Sequence, residues 1–403
     1  MYMERPFPSV TVTEKAERSA RNGHPWVYSD EITAMTGTPE NGGIVDVYTQ
    51  KNRWLGAGFY NDHSKIRVRI LSTNTNDRFD RAYWQRKLQW AVDYRKTVMG
   101  PDFSCCRLIF GEADGFPGLT VDRFGSVLVA QVLCLGTELI HETLLTDLVE
   151  LLRGMGETID CVYLRNDVGI REKEGLTQSK QYFLGSGNGH TEIVENGVHY
   201  DVDYINGQKT GFFLDQKYNR AAVAKLTPGK KVLDCFTHTG AFGLNCAYAG
   251  AAHVTSVDVS ESALETARCN AALNHLDNID FLCADVFELL TDLAAKGKAD
   301  YDLIILDPPA FTKSGSTVKS AIRGYKDINM RAMKILPRGG YLATCSCSHF
   351  MTEPLFVQML KDAAKDAHVT LRQIEARQQS ADHPIDWNVP ETNYLKFYIF
   401  QVV

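Results

Sequence analysis

A pair of thiols lies at the end of a predicted strand near residue 345. The apolar run 339–343 (GGYLA) leads into residues 344–349 (TCSCSH), which contain Cys345 and Cys347. Ligands of parallel α/β sheets bind at the carboxyl ends of the strands, and a thiolate there can act as a nucleophile. Side chains alternate along a strand, so both thiols are predicted on the same side and periodicity does not choose between them. The alternative for each is a buried structural cysteine.

An upstream predicted strand ends in Asp234 and turns directly into an apolar helix. The turn, residues 234–240 (DCFTHTG), contains Phe236, Thr239 and Gly240. Glycine lets a ligand approach the backbone closely, and a helix N-terminus presents free N–H groups. The turn is not G-x-G-x-x-G, which disfavours a dinucleotide, and an acid in this place suits an amine such as the methionine ammonium of S-adenosylmethionine (SAM). We therefore expect these four residues to bind the cofactor, with a plain tight turn as the alternative.

Two further acids follow the next predicted strands. Asp258 comes directly after an apolar run, where a carboxylate can accept hydrogen bonds from both ribose hydroxyls. The alternative is that Asp258 caps the helix that starts near Ser260. Asp285 stands where a carboxylate could bind an adenine amino group, and Val286 would then offer its backbone N–H to the ring. Helix capping is the alternative for Asp285 as well.

Asp307 ends a fourth predicted strand and is followed by two prolines. Prolines hold the chain extended and cannot continue a strand ladder, so this carboxylate is predicted to face the cleft, where it could bind the Watson–Crick edge of a flipped base. A related pattern with an aromatic ring directly after the prolines serves amino-group methylation, but Ala310 intervenes here. Cytosine C5 becomes nucleophilic only when a group such as a thiolate adds at C6. Together the strand ends indicate a pyrimidine C5-methyltransferase that uses SAM.

A regular alternation of strands and helices from about residue 196 positions these side chains and predicts a parallel sheet. Residues 1–75 read as short strands of a small β-barrel, and 76–190 as a small α/β unit. The fold class is therefore α/β, with domains at 1–75, 76–190 and 191–403. In the third domain, strands are predicted at 231–235, 253–257, 279–283, 301–306 and 340–345, helices at 215–226, 241–250, 261–275, 286–295 and 318–335, and an antiparallel edge hairpin near 368–375 and 395–402.

Basic residues alternate along one predicted strand of the barrel. Lys65, Arg67 and Arg69 should share a face because side chains alternate with a period of two. This stripe either contacts RNA or is a solvated strand face. The net charge of −6 argues mildly against broad nucleic-acid affinity, so an RNA substrate would need a local basic groove.

Composition narrows the class of protein. Ten cysteines without a regular framework in 403 residues fit a reducing cytosol. No apolar run is long enough for a membrane span, and the first residues lack the layout of a signal peptide. No C-x-x-C pair is present, so no metal site is predicted. We expect a cytoplasmic protein without a membrane partner.

The sequence resembles the class I SAM-dependent 23S rRNA (cytosine-5)-methyltransferases of the RlmI type over nearly its whole length. The segments that carry the resemblance are 23–27, 112–123, 207–216, 234–240, 307–311, 346–348 and 377–384. It implies an N-terminal PUA RNA-binding barrel, 23S rRNA as the partner and Cys347 as the nucleophile. It also implies a cytosine-facing role for Asp307 and SAM-binding roles for Asp234, Gly240, Asp258, Asp285 and Gln216.

Two positions depart from the pattern of such enzymes. Lys217 stands where an arginine usually follows the Asp-Gln pair. Ala310 stands where many other RNA cytosine-5 enzymes carry a second cysteine that assists product release; relatives of this family lack it too, so the base that removes the C5 proton is unassigned. The resemblance leaves the oligomeric state open, with a homodimer among the options.

Two other functions compete with cytosine-C5 methylation. One is a methyltransferase of the same architecture that acts on guanine or an exocyclic amine, with Cys347 as a structural residue. The other is a non-catalytic RNA-binding protein that holds SAM as a stabilising ligand. The acids at all four strand ends argue against the second, because binding alone does not need Asp307 beside a thiol.

Overall fold

The structure, a computed structural model, describes residues 5–297, 300–312 and 314–403. The chain forms two compact units. The first comprises the described residues of Met1–Thr191 together with Val202–Leu214 and Ala381–Thr392, and the second comprises Glu192–Asp201, Asp215–Ser380 and Asn393–Val403. The predicted domains 1–75 and 76–190 both fall in the first unit, and their separation stays a prediction.

The first unit begins with a six-stranded sheet in the order β2-β6-β5-β4-β1-β3. Val10, Val12, Val47 and Val68 point into one apolar core, and buried residues alternate with half-buried ones along β1, as expected for a strand with one face on the core. The predicted run of short strands is therefore confirmed. The elements are β1 (Ser9–Val12), α1 (Glu14–Arg21), β2 (Trp26–Tyr28), β3 (Ile32–Thr36), β4 (Ile44–Thr49), β5 (Trp54–Tyr60) and β6 (Ile66–Ser72).

A five-stranded sheet in the order β11-β10-β9-β8-β7 follows in the same unit. Helix α2 begins after Asp80, whose side chain accepts a hydrogen bond from the backbone N–H of Tyr83, as expected of an N-cap acid. The elements are α2 (Arg81–Met99), β7 (Cys105–Phe110), β8 (Leu119–Phe124), β9 (Val127–Val132), α3 (Leu135–Glu138), α4 (His141–Gly154), β10 (Cys161–Arg165) and β11 (Lys180–Leu184). A separate hairpin is formed by β12 (His190–Glu195) and β13 (Val198–Asp203).

The second unit is built on a seven-stranded sheet in the order β16-β15-β14-β17-β18-β20-β19. Strands β14 to β18 pair in parallel, whereas β20 lies antiparallel between β18 and β19. The elements are α5 (Lys217–Ala224), β14 (Lys231–Cys235), α6 (Ala241–Tyr248), β15 (His253–Asp258), α7 (Glu261–Leu273), β16 (Ile279–Cys283), α8 (Val286–Ala295), β17 (Leu303–Leu306), α9 (Val318–Ile335), β18 (Tyr341–Ser346), α10 (Glu353–Asp366), β19 (Leu371–Arg377) and β20 (Lys396–Val402).

The central strands of this sheet are apolar on both faces. All four residues of β17 are buried, as expected for a parallel strand covered by helices on each side. The predicted alternation of strands and helices, and hence the α/β fold class, is confirmed. Within the described ranges, no helix combines the length and the apolar character that crossing a membrane would need.

Candidate active site

The carboxyl ends of the parallel strands bring the predicted site residues of the second unit to one edge of its sheet. Strands β14, β15, β17 and β18 run in the same direction, so the residues at their ends share one edge. Asp234, Asp258, Asp307 and Cys347 each lie at or directly after the end of one of these strands. The contacts of each residue show what it can do chemically.

Asp234 is fully buried, and only one of its two carboxylate oxygens accepts hydrogen bonds from the described residues. Its Oδ2 accepts hydrogen bonds from the backbone N–H of Gly243 at 2.8 Å, from the hydroxyl of Ser256 at 3.3 Å and from the hydroxyl of Thr237. Its Oδ1 accepts none from any described residue. Burial is the main cause that raises the pKa of Asp234 to about 7. A buried carboxylate oxygen without a donor costs free energy, and a ligand ammonium would supply that donor.

The turn after β14 has an unusual backbone. Phe236 has φ 62° and His238 has φ 51°, in the left-handed region that non-glycine residues rarely adopt and that clusters at ligand sites. Gly240, at φ 85°, directly precedes α6, and a Cβ at this position would lie 2.9 Å from the Cβ of Ala267. Thr239, beside it, is partly exposed. The turn leads into the N-terminus of α6, and a helix N-terminus suits an anionic group such as a ligand carboxylate.

Asp258 is held by two backbone groups. Its Oδ2 accepts from the N–H of His238 and its Oδ1 from the N–H of Ser260, both at 2.9 Å. The cap of α7 is Ser260, whose hydroxyl accepts from the N–H of Ala263. Asp258 is therefore not the helix cap. A carboxylate oxygen has a second lone pair, so both oxygens can still accept from ribose hydroxyls.

Asp285 does cap its helix. Its Oδ1 accepts from the backbone N–H groups of Phe287 at 2.7 Å and Glu288 at 3.1 Å at the start of α8. The side chain is exposed, whereas that of Val286 is buried. The adenine-binding roles of Asp285 and Val286 stay predictions. The ring of Phe236 packs edge-to-face against that of Phe287.

Asp307 is the centre of a polar cluster. Its Oδ1 accepts hydrogen bonds from the thiol of Cys345 at 2.8 Å and from the amide of Gln216 at 3.1 Å. Asn219 donates to the Oε1 of Gln216 at 2.7 Å and fixes that amide. Burial raises the pKa of Asp307 to about 6. The structure therefore brings Gln216 to Asp307, and its predicted contact with the cofactor stays a prediction.

The two thiols differ sharply in their surroundings. Cys345 is fully buried, and burial, with the nearby carboxylate of Asp307, raises the pKa of its thiol well above the usual range. Cys345 is thus a neutral hydrogen-bond donor. Cys347 lies one residue beyond the end of β18 and is partly exposed.

Sequence reasoning missed two groups beside Cys347. The hydroxyl of Tyr325, on α9, lies 3.0 Å from that of Ser346 and 3.1 Å from that of Ser348, and burial raises its pKa to about 12. Lys396 donates a hydrogen bond to the carbonyl oxygen of Ser348. The signal for Lys396 was a single charge in the otherwise apolar run 395–400 (LKFYIF).

The predicted basic stripe is interrupted. Tyr28 pairs with Ile66 and Val27 with Val68, so a bulge at Arg67 breaks the alternation on which the shared face depended. The guanidinium of Arg69 forms ion pairs of 2.9 Å with Glu112 and Glu174.

Two carboxylates therefore already offset the charge of the Arg69 guanidinium. Arg67 donates to the carbonyl oxygen of Asn61 at 3.1 Å, and Lys65 is exposed. Contact of Lys65, Arg67 and Arg69 with RNA stays a prediction, and Arg69 is the one of the three whose charge is already offset by carboxylates.

Comparison with known families gives two matches along the chain. Residues 10–73 match the PUA-like domain family. Residues 176–400 match the S-adenosylmethionine-dependent methyltransferase family. The predicted PUA-like and methyltransferase folds and the predicted cofactor are thus confirmed.

Full-length relatives are similar over almost the whole chain. The chain is 41% identical over 400 residues to the ribosomal RNA large subunit methyltransferase I of Aliivibrio fischeri, covering 98% of this chain and 99% of that protein. It is 42% identical over 391 residues to the protein of the same name from Shewanella denitrificans, covering 96% and 97%. A solved structure from Streptococcus mutans, provisionally assigned as a SAM-dependent methyltransferase, superposes with a TM-score of 0.81 at 22% identity, covering 98% of this chain and 100% of that chain. At that identity it supports the fold alone.

Proposed function

Since the chain belongs to the ribosomal RNA large subunit methyltransferase I family of SAM-dependent methyltransferases, we propose that it methylates C5 of a cytosine in large-subunit rRNA through a covalent bond to Cys347. The observation that carries this proposal is the contrast between the two thiols. Cys345 is buried and donates to Asp307, whereas Cys347 is partly exposed at the strand end. Of the two thiols, Cys347 is the one that a cytosine ring could reach without rearrangement of the core.

The cofactor is held, in this proposal, by the ends of β14, β15 and β16. The Oδ1 of Asp234 accepts from the methionine ammonium, the N-terminus of α6 faces its carboxylate, and Asp258 binds the ribose. Bound SAM would supply a methyl group on a positively charged sulfur, and that sulfur would keep the electron pair of its broken bond to the methyl carbon.

Nucleophilic addition by Cys347 makes C5 reactive. The thiolate forms a bond to C6 of the cytosine, and the electron pair of the C5–C6 double bond forms the new bond from C5 to the methyl carbon. A base then takes the C5 proton, the double bond re-forms and the sulfur leaves with the electrons of its bond to C6.

Asp307 orients the target cytosine. Cys345 and Gln216 both donate to its Oδ1, which fixes the rotation of the carboxyl group. Its Oδ2 accepts no hydrogen bond from the described residues and is left for the 4-amino group of the cytosine. Because Asp307 has a pKa of about 6, the carboxylate form that accepts this hydrogen bond predominates above that pH.

The nucleophile is tested with RNA that carries 5-fluorocytosine at the target. Fluorine cannot be removed as a proton, so the reaction should stop as an RNA–protein adduct that survives denaturing electrophoresis. Cys347→Ala should form no adduct, whereas the matched variant Cys345→Ala should still form one. An adduct at Cys345, or 5-methylcytidine made by the Cys347 variant, would contradict the proposal.

The modified base is tested in cells. Mass spectrometry of rRNA nucleosides from cells with and without the gene should show 5-methylcytidine lost from large-subunit rRNA. Loss of a methylguanosine or an N-methylated base instead would favour the same architecture acting on guanine or an exocyclic amine.

A further inference from the structure

Lys396 is a buried ammonium group in the sheet of the second unit. Only 6% of the residue is exposed, and its neighbours in β20 from Phe397 to Phe400 are buried apolar or aromatic residues. Strand β20 pairs antiparallel with β18, and Lys396 lies opposite Ser346. The charge is therefore in the interior, beside the strand end that carries Cys347.

The ammonium group is held by neutral acceptors. Its Nζ donates to the carbonyl oxygens of Ser348 and Tyr394, both at 2.7 Å. An ammonium has three N–H donors, so one remains. No carboxylate in the described ranges forms an ion pair with it; Glu353 accepts a hydrogen bond from the hydroxyl of Tyr398 instead. A buried cation without an anionic partner is unfavourable, so its presence here requires an explanation.

The thiol of Cys347 is the group that can supply the anion. Cys347 directly precedes Ser348, whose carbonyl oxygen accepts from the Lys396 ammonium. Burial lowers the pKa of Lys396 to about 8, and the charge of Cys347 is the largest influence that raises it. The coupling between two charges is reciprocal, so an ammonium that a thiolate stabilises also stabilises the thiolate.

We propose that Lys396 is the counter-cation of the Cys347 thiolate and keeps that thiol ionised near neutral pH. Lys396 acts through Cys347 and is a positioning residue; by holding the Ser348 carbonyl it also fixes the segment that carries the sulfur. This inference rests on the proposed function, in which Cys347 is the nucleophile.

The other titratable groups around Lys396 and Cys347 cannot act as the cation that stabilises the thiolate. Cys345, on β18, and Tyr325, on α9, are neutral because burial raises the pKa of each. Glu353, on α10, and Asp307, after β17, are acids, and a nearby acid raises the pKa of a thiol rather than lowering it.

The pH dependence of alkylation tests this pairing without RNA or SAM. Iodoacetamide reacts with thiolates, and peptide mass spectrometry follows Cys347 separately from Cys269 and Cys283, which are exposed and serve as internal references. Free thiols have a pKa of about 8.5, lowered to about 7.5 or less beside a lysine. In Lys396→Gln the alkylation midpoint of Cys347 should rise by about one pH unit or more, with a roughly tenfold lower rate at neutral pH, while both references are unchanged.

Two substitutions separate charge from hydrogen bonding. Glutamine keeps a donor for the two carbonyl oxygens but removes the charge, whereas Lys396→Arg keeps the charge and should keep the low midpoint. A second measurement leaves Lys396 unchanged. The ultraviolet absorbance of the thiolate at neutral pH should be present in the unmodified protein and lost in Cys347→Ala. An unchanged midpoint in Lys396→Gln, or no thiolate absorbance attributable to Cys347, would overturn the proposal.

These results are distinguishable from failure of the proposed function. If no fluorocytosine adduct forms but the midpoint shifts, the thiolate pairing stands and the cytosine chemistry is wrong. If the adduct forms and the midpoint does not shift, the chemistry stands and Lys396 has only a structural role.

Discussion

At the scale of single residues, Asp234 shows how burial prepares a group for a ligand. Its pKa of about 7 lies above the ordinary 3.8, mainly because the carboxyl group is buried. A raised pKa of an acid means that the folded protein disfavours the charged form, so without a ligand this charge destabilises the fold as pH rises through that range. An ammonium beside the free Oδ1 would reverse this preference.

SAM binding should therefore release a proton near pH 7. Below that pH Asp234 is protonated and binding must expel its proton, so affinity should fall as the pH drops; above it the carboxylate is already charged. Calorimetry in two buffers with different ionisation enthalpies measures the release directly. Asp234→Asn should abolish it, and identical binding enthalpies in both buffers for the unmodified chain would refute the ammonium contact.

Asp258→Ala should weaken SAM binding with little change in fold. The substitution removes two hydrogen bonds from ribose hydroxyls to a charged group, each worth on the order of 1.5–3 kcal/mol. Asp280→Ala is the matched control, because Asp280 is exposed near the opposite end of a neighbouring strand. Titration calorimetry gives the affinities and thermal melting confirms folding. Equal affinity in the two variants would exclude Asp258 from the ribose.

Among helices and strands, the sequence predicts an element well where the residues of that segment alone determine it. Strand β17 is recognisable because Leu303–Leu306 is an uninterrupted apolar run. The strand predicted from residue 368 instead begins at Leu371, because His368 has φ 54°, a conformation that a strand does not accept.

Non-local contacts explain what the sequence could not indicate. Cys345 and Cys347 are equivalent by periodicity, and Cys345 is distinguished by two groups distant in sequence: Asp307 accepts from its thiol and Gln216 donates to its sulfur. The burial of Lys396 likewise has no marker in its own segment, because it depends on β20 pairing with both β18 and β19. The bulge at Arg67 depends on pairing with another strand and has no marker in its own segment.

Close packing of α6 on the sheet should make Gly243 intolerant of a side chain. A Cβ there would lie 2.1 Å from the Oγ of Ser256 and 3.0 Å from the Oδ2 of Asp234. Gly243→Ala should therefore lower the stability of the second unit by about 1–3 kcal/mol and weaken SAM binding. Gly315→Ala is the control, since a Cβ there meets no atom within 4 Å. Chemical denaturation compares the two, and equal midpoints would show that α6 can shift freely.

The ion-pair cluster at β6 should be structural. Arg69→Met leaves the buried carboxylate of Glu174 and the half-buried one of Glu112 without their cation, which costs about 3–5 kcal/mol when one partner of a buried pair is removed. Lys65→Met, on an exposed side chain, should leave the stability of the first unit unchanged. Thermal melting of both variants measures the difference. An Arg69 variant as stable as the unmodified protein would show that these ion pairs do not stabilise the first unit.

At the scale of the whole molecule, charge limits how RNA can be bound. The net charge is −6, so the chain as a whole repels a polyanion, and affinity must come from local cations that are not already neutralised. The ion pairs of Arg69 already offset its charge, whereas Lys65 is exposed and the Arg67 side chain donates to a backbone carbonyl oxygen. The PUA-like segment 10–73 contains both of these residues.

RNA binding should therefore depend on salt through Lys65 and Arg67. Each phosphate contact to single-stranded RNA contributes about 0.7 to the slope of log affinity against log salt concentration, so Lys65→Ala with Arg67→Ala should flatten that slope by up to about 1.4. Lys51→Ala, an exposed lysine of the same sheet's β4–β5 connection, is the control for charge alone. Filter binding over a salt series gives the slopes. If the double variant and the control have the same slope, β6 presents only a solvated face, and the RNA contacts must be sought on other cations.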